Sequence, residues 1–191
     1  MIMDAWEKLK TDCAGCMACS LGRTRRHLVF ADGNERAEVM FIGEGPGEQE
    51  DLQGLPFVGP AGKLLDQMLE MIDLDRKKVY IANVVKCRPP NNRDPLDIEQ
   101  QACREWLERQ IALVDPKIIV CLGRIAAMAI IKPDFRITRE HGQWFNVMGR
   151  RMIATYHPSA LLRDPGKRPE AFMDLRELRK EIRAICAHTY E

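Results

Sequence analysis

The chain has 191 residues, of which 46% are hydrophobic and 30% charged, a balance that suits one globular domain and excludes a disordered chain. The longest uninterrupted apolar run, residues 125–131, is too short for a membrane-spanning helix, which needs about 20 residues. Lysine and arginine (29 residues) nearly balance aspartate and glutamate (28), and the net charge of +1 argues at first against a nucleic-acid-binding protein.

Hydrophobic patterning predicts helices and strands along the chain. An amphipathic helix over residues 4–11 comes first, followed by an irregular segment over residues 13–30 that is rich in cysteine and arginine. Strands are then predicted at residues 39–42, 79–85, 117–122 and 152–156, and helices at residues 62–72, 95–113, 123–131 and 172–187. Apolar strands that alternate with helices predict an α/β fold, a three-layer α/β/α arrangement with a central four-stranded parallel sheet.

The N-terminal ten residues carry four charged side chains and lack the apolar stretch of a signal peptide. We therefore expect a cytoplasmic protein with one domain over residues 1–191. In a reducing compartment its seven cysteines are not expected to form disulfides. No heptad pattern is visible, so a monomer is expected.

Three polar motifs follow the ends of predicted strands: Gly43–Gly47, Asn83–Arg88 and His157–Arg163. Open parallel sheets bind ligands beyond the carboxyl ends of their strands. The three motifs are therefore expected to converge on one active site.

Four cysteines from two distant segments make a candidate metal site: Cys16, Cys19, Cys87 and Cys103. Iron–sulfur and zinc both suit four thiolates, and buried apolar cysteines are the plain alternative. Cys13 complicates the assignment, because it forms a second C-x-x-C pair with Cys16. Cys121 and Cys186 are expected in the core.

The glycine-rich loop Gly43–Gly47 follows a strand but does not match a dinucleotide fingerprint, because residue 48 is Glu. Pro46 also removes a backbone donor. We predict a tight turn that holds backbone N–H groups and Glu44 around an uncharged planar ligand. A simple strand-to-helix turn is the alternative.

Single residues next to the strand ends suit base recognition. Phe57 lies in a proline-flanked loop where its ring could stack on a base, and the Asn83 amide offers the donor and acceptor that a uracil edge requires. A core phenylalanine and a strand-end asparagine are the plain alternatives. His157 precedes residues 161–163, Leu-Leu-Arg, a combination that suits a wedge in a base stack, although a helix capped by Ser159 would also explain this segment.

Taken together, the motifs resemble those of family 4 uracil-DNA glycosylases, the iron–sulfur type, over residues 16–178. The resemblance rests on Cys16-x-x-Cys19-x-Leu21, Gly43–Gly47 with Glu50-Asp51, Pro56–Gly59 with Ala61-Gly62, Asn83–Arg93, Cys103, and His157–Ser159 with Leu161–Arg163. It implies the uracil-DNA glycosylase fold and hydrolysis of the bond between uracil and deoxyribose in single- or double-stranded DNA. Free uracil and an abasic site would be the products.

The same resemblance implies a structural [4Fe-4S] cluster on the four cysteines of the candidate metal site. Leu21 follows the second ligand at the family spacing, so Cys13 is expected to be a spare thiol. His141 stands where many relatives have arginine, and that arginine is a candidate phosphate contact.

Site roles are expected on the same basis. Backbone groups of Gly43, Glu44 and Gly45 line the uracil pocket, Phe57 stacks on the flipped base, and Asn83 reads its Watson–Crick edge. His157 stabilises the departing uracil anion, and Glu44 positions water or stabilises the sugar cation. Residues Leu161, Leu162 and Arg163 form the wedge, with Leu161 as first choice.

Uneven charge reverses the first inference about nucleic acid. Basic residues cluster beside the functional loops: Arg23, Arg25, Arg26 and His27; Lys86, Arg88 and Arg93; and Arg163, Lys167 and Arg168. A neutral protein with one basic face can bind DNA phosphates.

Three alternative functions stay open: a non-catalytic iron–sulfur DNA-binding protein, a zinc-stabilised nucleotide-binding module, and a glycosylase for other deaminated bases.

Overall fold

The structure is a computed structural model that describes residues 2–191. The described residues contain six strands: β1 (Asp32–Gly33), β2 (Val39–Gly43), β3 (Tyr80–Asn83), β4 (Ile118–Leu122), β5 (Phe145–Val147) and β6 (Arg150–Thr155). They form one sheet in the order β1–β3–β2–β4–β6–β5. The inner strands β3, β2, β4 and β6 run parallel, which confirms the predicted four-stranded parallel sheet.

Two short edge strands extend that sheet and were not predicted. Strand β1 pairs antiparallel with β3, and β5 pairs antiparallel with β6. The β5–β6 hairpin turns through Met148 and Gly149, which have positive φ angles of 49° and 76°. That backbone suits the tight turn of a two-residue hairpin. The edge strands have two and three residues, too few for an alternating pattern to stand out in the sequence.

Helices cover both faces of the sheet. They are α1 (Ala5–Ala14), α2 (Leu21–Thr24), α3 (Glu48–Gln53), α4 (Pro60–Glu70), α5 (Asp97–Val114), α6 (Arg124–Ile130), α7 (Ile137–Glu140), α8 (Pro158–Arg163) and α9 (Arg168–Ile185). The long predicted helices are present, with ends that differ by a few residues. Within residues 2–191, no helix is both long and apolar enough to cross a bilayer.

The core has two layers because successive strand residues point to opposite faces. In β2, Val39 and Phe41 pack with the apolar residues of α4 and α9. Their neighbours Met40 and Ile42 pack with those of α5 and α6 on the other face. All five residues of β2 are buried, as expected of a central parallel strand covered on both sides.

A buried carboxylate anchors the segment that follows α9. Glu38, just before β2, accepts hydrogen bonds from Ala187 N (2.7 Å), His188 N (3.0 Å) and Thr189 Oγ1 (2.6 Å). Burial alone would raise the pKa of Glu38, but these donors and Lys117 outweigh it and lower the pKa to about 2. The carboxylate therefore stays charged and holds the C-terminal segment against the amino ends of the strands.

Candidate active site

The predicted motifs meet at the carboxyl ends of the parallel strands. Gly43 ends β2 and lies opposite Asn83, which ends β3. The two chains stay tied beyond the strands, because Val84 N donates to Gly43 O (2.9 Å) and Val85 N donates to Glu44 O (3.1 Å). His157 follows β6 by two residues. The expected convergence of the three motifs is therefore present.

Gly43 allows the site to be compact. A Cβ atom at this position would lie 2.5 Å from Asn83 Oδ1 and 2.6 Å from the Phe57 ring, so any side chain here would displace one of them. The Phe57 ring in turn stacks on the His157 ring, with centroids 5.6 Å apart and planes at 27°. Sequence reasoning placed these four residues in one pocket, and the fold brings them into contact.

Asn83 has an unused acceptor. Its side chain is 2% exposed, and within residues 2–191 its Oδ1 atom has no hydrogen-bond partner. Buried polar atoms are almost always paired, and leaving one unpaired costs about 1–3 kcal/mol. An unpaired acceptor beside an aromatic ring points to a ligand that carries an N–H donor.

The Phe57 loop is held in an unusual backbone conformation. Phe57 has φ 54°, in the left-handed region that costs a bulky residue roughly 1–2 kcal/mol. The Glu50 carboxylate accepts from Val58 N (3.2 Å) and Gly59 N (3.0 Å) with one oxygen, and from Gly47 N (3.1 Å) with the other. Glu50 therefore ties the Phe57 loop to the glycine loop.

His157 is a neutral donor in this site. Its Nδ1 accepts a hydrogen bond from Ser159 N (3.0 Å), and a backbone N–H can only donate, so the ring proton lies on Nε2. Burial, aided by the positive charge of Arg163, lowers the pKa of His157 to about 4. The expected Ser159 cap is wrong in detail, because His157 itself caps α8.

Glu44 lies in a mixed electrostatic environment. Burial raises its pKa to about 7, and the neighbouring carboxylate of Asp94 adds to the rise, while Arg124 and Arg163 oppose it. Arg124 also forms an ion pair with Asp94. Sequence reasoning missed Asp94 and Arg124, since both lie outside the glycine motif and no local pattern sets them apart.

The predicted wedge needs one correction. Leu161 is 1% exposed and packs in the core layer of α4 and α9, so it cannot enter a base stack from this position. Leu162 is 40% exposed, and Arg163 is also exposed. Successive residues of a helix point in directions about 100° apart, so Leu161 faces the core while its neighbour Leu162 is exposed.

The four cysteines of the candidate metal site line one cavity, together with Trp106 and Arg25. Three of their sulfur atoms accept N–H hydrogen bonds: Cys16 from Trp106 Nε1 (3.3 Å), Cys87 from Arg25 Nη1 (3.2 Å) and Cys103 from Lys86 N (3.3 Å). N–H donors of this kind stabilise thiolates and tune iron–sulfur centres.

The other three cysteines do not line that cavity. Cys13 is fully buried on α1 and is not among the residues that line the cavity. Cys121 is fully buried in β4, and Cys186 packs partly buried beside the core. These positions agree with a spare thiol and two core residues.

Comparison with known proteins supports what the geometry indicates. Residues 30–179 match the family model described as the uracil DNA glycosylase superfamily. A type-4 uracil-DNA glycosylase from Archaeoglobus fulgidus is 44% identical, over 96% of this chain and 94% of that protein.

The chain belongs to the uracil DNA glycosylase superfamily. A type-4 uracil-DNA glycosylase from Sulfurisphaera tokodaii is 46% identical, over 92% of this chain and 86% of that protein. A type-5 uracil-DNA glycosylase from Pyrobaculum aerophilum is 33% identical, over 71% of this chain and 67% of that protein. The resemblance to family 4 stated from the motifs is confirmed.

Within this superfamily fold, some predicted DNA contacts have internal partners instead. Lys86 is fully buried, and its Nζ donates to Asn83 O (2.7 Å), so it is fixed beneath the end of β3 and cannot reach a phosphate. Burial lowers its pKa to about 8. Arg25 is bound to Cys87, and Arg93 pairs with Glu99 (2.6 Å). The exposed members of the basic clusters are Arg23, Arg26, His27, Arg163 and Arg168.

His141, where many relatives were expected to have arginine, also turns inward. Its Nδ1 lies 2.8 Å from Asp174 Oδ2 and its Nε2 lies 3.2 Å from Glu170 Oε2. Both carboxylates belong to α9, so His141 joins α7 to that helix. In this conformation the residue is not a phosphate contact.

Proposed function

We propose that this protein removes uracil from DNA by hydrolysing the bond between the base and deoxyribose, which leaves free uracil and an abasic site. Relatives that match nearly the whole chain are named type-4 uracil-DNA glycosylases. The observation that carries the proposal is the unpaired, buried Oδ1 of Asn83 beside Phe57 and His157.

Base recognition follows from the chemistry of these groups. Asn83 Oδ1 would accept from uracil N3–H, and its amide N–H would donate to uracil O4. Cytosine presents an acceptor at N3 and a donor at C4, so two donors and two acceptors would face each other. A site built on specific hydrogen bonds rejects such a partner strongly. The Phe57 ring would stack on the base, and the backbone of Gly43, Glu44 and Gly45 would line the pocket.

Hydrolysis requires the base to leave with the electron pair of the bond between its N1 and sugar C1′. The base must first be flipped out of the stack. As the bond breaks, negative charge spreads to uracil O2, and the His157 Nε2–H would donate to that oxygen. A donor aimed at developing charge is worth about 3–4 kcal/mol. Because His157 is neutral, it would stabilise the uracil anion through a hydrogen bond and would keep its Nε2 proton.

Water then completes the reaction at C1′ of an oxocarbenium-like sugar. The water oxygen bonds to C1′, and one water proton is released, which balances the charge on the departing uracil. The Glu44 carboxylate would hold this water or stabilise the sugar cation. Both roles require Glu44 in its ionised form.

The DNA-binding face would surround the pocket. Leu162 is the exposed wedge candidate, and Arg163 is the adjacent cation. Arg23, Arg26 and Arg168 would contact phosphates on either side. We propose activity on single- and double-stranded DNA, with the wedge needed mainly where a base must leave a duplex.

A [4Fe-4S] cluster on Cys16, Cys19, Cys87 and Cys103 is part of the proposal. Among the described residues, no three side chains of His, Cys, Asp or Glu converge closely enough to hold a single metal ion. The four thiols instead surround a cavity, and three already accept N–H donors. Four thiols with N–H donors to their sulfurs are the ligand set of a [4Fe-4S] cluster, which the type-4 relatives favour over zinc. When bound, the cluster would supply structural cross-linking between the N-terminal segment and the loop after β3.

We propose a cytoplasmic enzyme that acts as a monomer, with one domain carrying the whole activity.

The test is a cleavage assay with matched oligonucleotides that contain uracil or thymine at one position, followed by alkaline cleavage of abasic sites. We expect abasic sites from the uracil strand alone. Asn83→Ala should lower kcat/KM roughly 5- to 150-fold, the equivalent of losing about 1–3 kcal/mol of buried hydrogen bonding. Asn146→Ala, at an exposed position on the edge strand β5, is the matched control. No abasic sites from the uracil strand would overturn the proposed activity.

A further inference from the structure

The guanidinium group of Arg76 donates hydrogen bonds to two backbone carbonyls of the loop that carries Phe57. Arg76 lies between α4 and β3, with its side chain 21% exposed. Its Nη1 donates to Pro56 O (2.9 Å), and its Nη2 donates to Phe57 O. Two consecutive carbonyl groups of one loop therefore point at the same side chain.

That arrangement depends on the unusual conformation of Phe57. In an extended chain, consecutive carbonyl groups point in opposite directions. The left-handed conformation of Phe57, with φ 54°, brings the carbonyls of Pro56 and Phe57 to the same side. A planar guanidinium with several fixed N–H donors matches this pair better than any other side chain. Arg76 therefore favours the conformation that sets the direction of the Phe57 ring.

Arg76 is itself fixed to the scaffold. Its Nε donates to Asp66 in α4 (2.7 Å), and its Nη1 also contacts Asp32 in β1 (3.2 Å). Burial alone would lower the pKa of Arg76, but these two carboxylates outweigh it and raise the pKa, so the group stays charged. The loop is thus tied through Arg76 to two elements that lie outside the active site.

The other side of the loop is held as well. Glu50 binds the N–H groups of Val58 and Gly59, which follow Phe57. A Cβ atom at Gly62 would lie 1.8 Å from Phe57 O, so the start of α4 packs directly on that carbonyl. With its carbonyl and the following N–H groups fixed, the Phe57 backbone has little freedom to relax.

We propose that Arg76 is a positioning residue for base recognition: it holds Phe57 in the conformation that aims the ring into the base pocket, next to Gly43 and His157. The inference rests on the proposed function, in which Phe57 stacks on the flipped uracil. It adds that stacking is preorganised from outside the pocket. A ring held in place before binding loses less conformational entropy when the base arrives.

The test is a double-mutant cycle with four proteins: the wild type, Arg76→Met, Phe57→Ala and the combined variant. Inhibition by free uracil measures binding of the base, and single-turnover rates on uracil-containing single-stranded DNA measure the chemical step. Base–aromatic stacking is worth about 1–3 kcal/mol, so Phe57→Ala should weaken uracil inhibition roughly 5- to 150-fold. Arg76→Met should weaken it about 5-fold or more in the wild-type background.

In the Phe57→Ala background, Arg76→Met should change uracil inhibition less than about 2-fold, because no ring is left to position. Arg76→Met should lower the thermal unfolding temperature by the same amount in the wild-type and Phe57→Ala backgrounds. Arg76→Lys keeps a cation near Asp32 and Asp66 but lacks the planar fork, so it should fold well and still weaken uracil binding. Arg151→Met removes a similar partly buried arginine, paired with Glu181 (2.9 Å) at the far end of β6, and should leave uracil binding unchanged.

Equal losses of uracil binding from Arg76→Met in both backgrounds would overturn the inference. The inference would also be overturned if Phe57→Ala weakens uracil binding but Arg76→Met and Arg76→Lys both leave uracil binding unchanged. If Phe57→Ala itself leaves uracil binding intact, the proposed stacking role of Phe57 fails, and the positioning role fails with it.

Discussion

The raised pKa of Glu44 makes a direct prediction about the pH dependence of cleavage. Its pKa of about 7 comes from burial and from the nearby Asp94 carboxylate. If catalysis needs the ionised form, the active fraction is about 10% at pH 6 and about 90% at pH 8. The single-turnover rate should therefore rise about 10-fold between these pH values. His157, with a pKa of about 4, stays neutral over the whole range and adds no second step.

Two variants locate that transition. Glu44→Gln should be slow and independent of pH between 6 and 8. Asp94→Asn removes the like charge beside Glu44 and frees Arg124, so the pKa of Glu44 should fall toward its ordinary value. The midpoint of the profile should then move to lower pH, and the difference between the rates at pH 6 and pH 8 should become smaller. Asp134→Asn, at an exposed position beyond α6, is the matched control.

The assay is single-turnover cleavage of uracil-containing single-stranded DNA under saturating enzyme, from pH 5.5 to 8.5 at constant ionic strength. A single-stranded substrate separates the chemical step from opening of a duplex. A flat profile in the wild type, or a rise with the wild-type midpoint in Glu44→Gln, would refute the role of the Glu44 carboxylate. An unmoved midpoint in Asp94→Asn would refute the contribution of the Asp94 carboxylate to the shift.

Three further predictions concern the wedge, the cysteines and the C-terminal anchor. Leu162→Ala should slow cleavage of double-stranded DNA but not of single-stranded DNA, and it should change stability little. Leu161→Ala should instead lower the free energy of unfolding in urea by about 2–5 kcal/mol, because it opens a cavity in the core. Cys103→Ser should lose iron by metal analysis and should lose visible absorption, while Cys13→Ser should retain both. Equal iron loss in the two variants would contradict the ligand assignment. Glu38→Gln should destabilise the protein by about 1.5–3 kcal/mol at pH 7. The pKa of Glu38 is about 2 in the folded protein, against 4.5 for an ordinary glutamate. The stability difference between the wild type and Glu38→Gln should therefore shrink as the pH falls from 4.5 toward 2. A stability difference that persists at pH 2 would contradict the role of the Glu38 carboxylate in holding the C-terminal segment.

The parallel strands could be predicted because they are short, continuous apolar runs between turns. Val39–Ile42 is buried on both faces of the sheet, so every side chain is apolar and the run stands out. The last helix begins earlier than predicted, at Arg168, because its first turn carries few apolar residues. Strands β1 and β5 exist only through pairing with β3 and β6, a long-range contact that leaves no local pattern.

Some residues of the candidate site could likewise be predicted from the sequence, and others could not. Gly43, Asn83 and His157 could be found because each lies at or near the end of a predicted strand, and parallel strands bring their carboxyl ends to one edge. Leu161 and Leu162 could not be told apart, because adjacent identical residues differ only in which side of α8 they occupy. Lys86 looked like a phosphate contact, yet the fold buries it beneath Asn83.

The sequence by itself determined the α/β architecture and the residues at the strand ends, because periodicity and spacing are local properties of the chain. Tertiary structure alone decided which wedge leucine is exposed and that His157 is neutral. It also decided that Asp94 perturbs Glu44 and that Arg76 grips the Phe57 loop. These properties depend on burial and on contacts between residues far apart in the chain, and both are set only when the helices pack on the sheet.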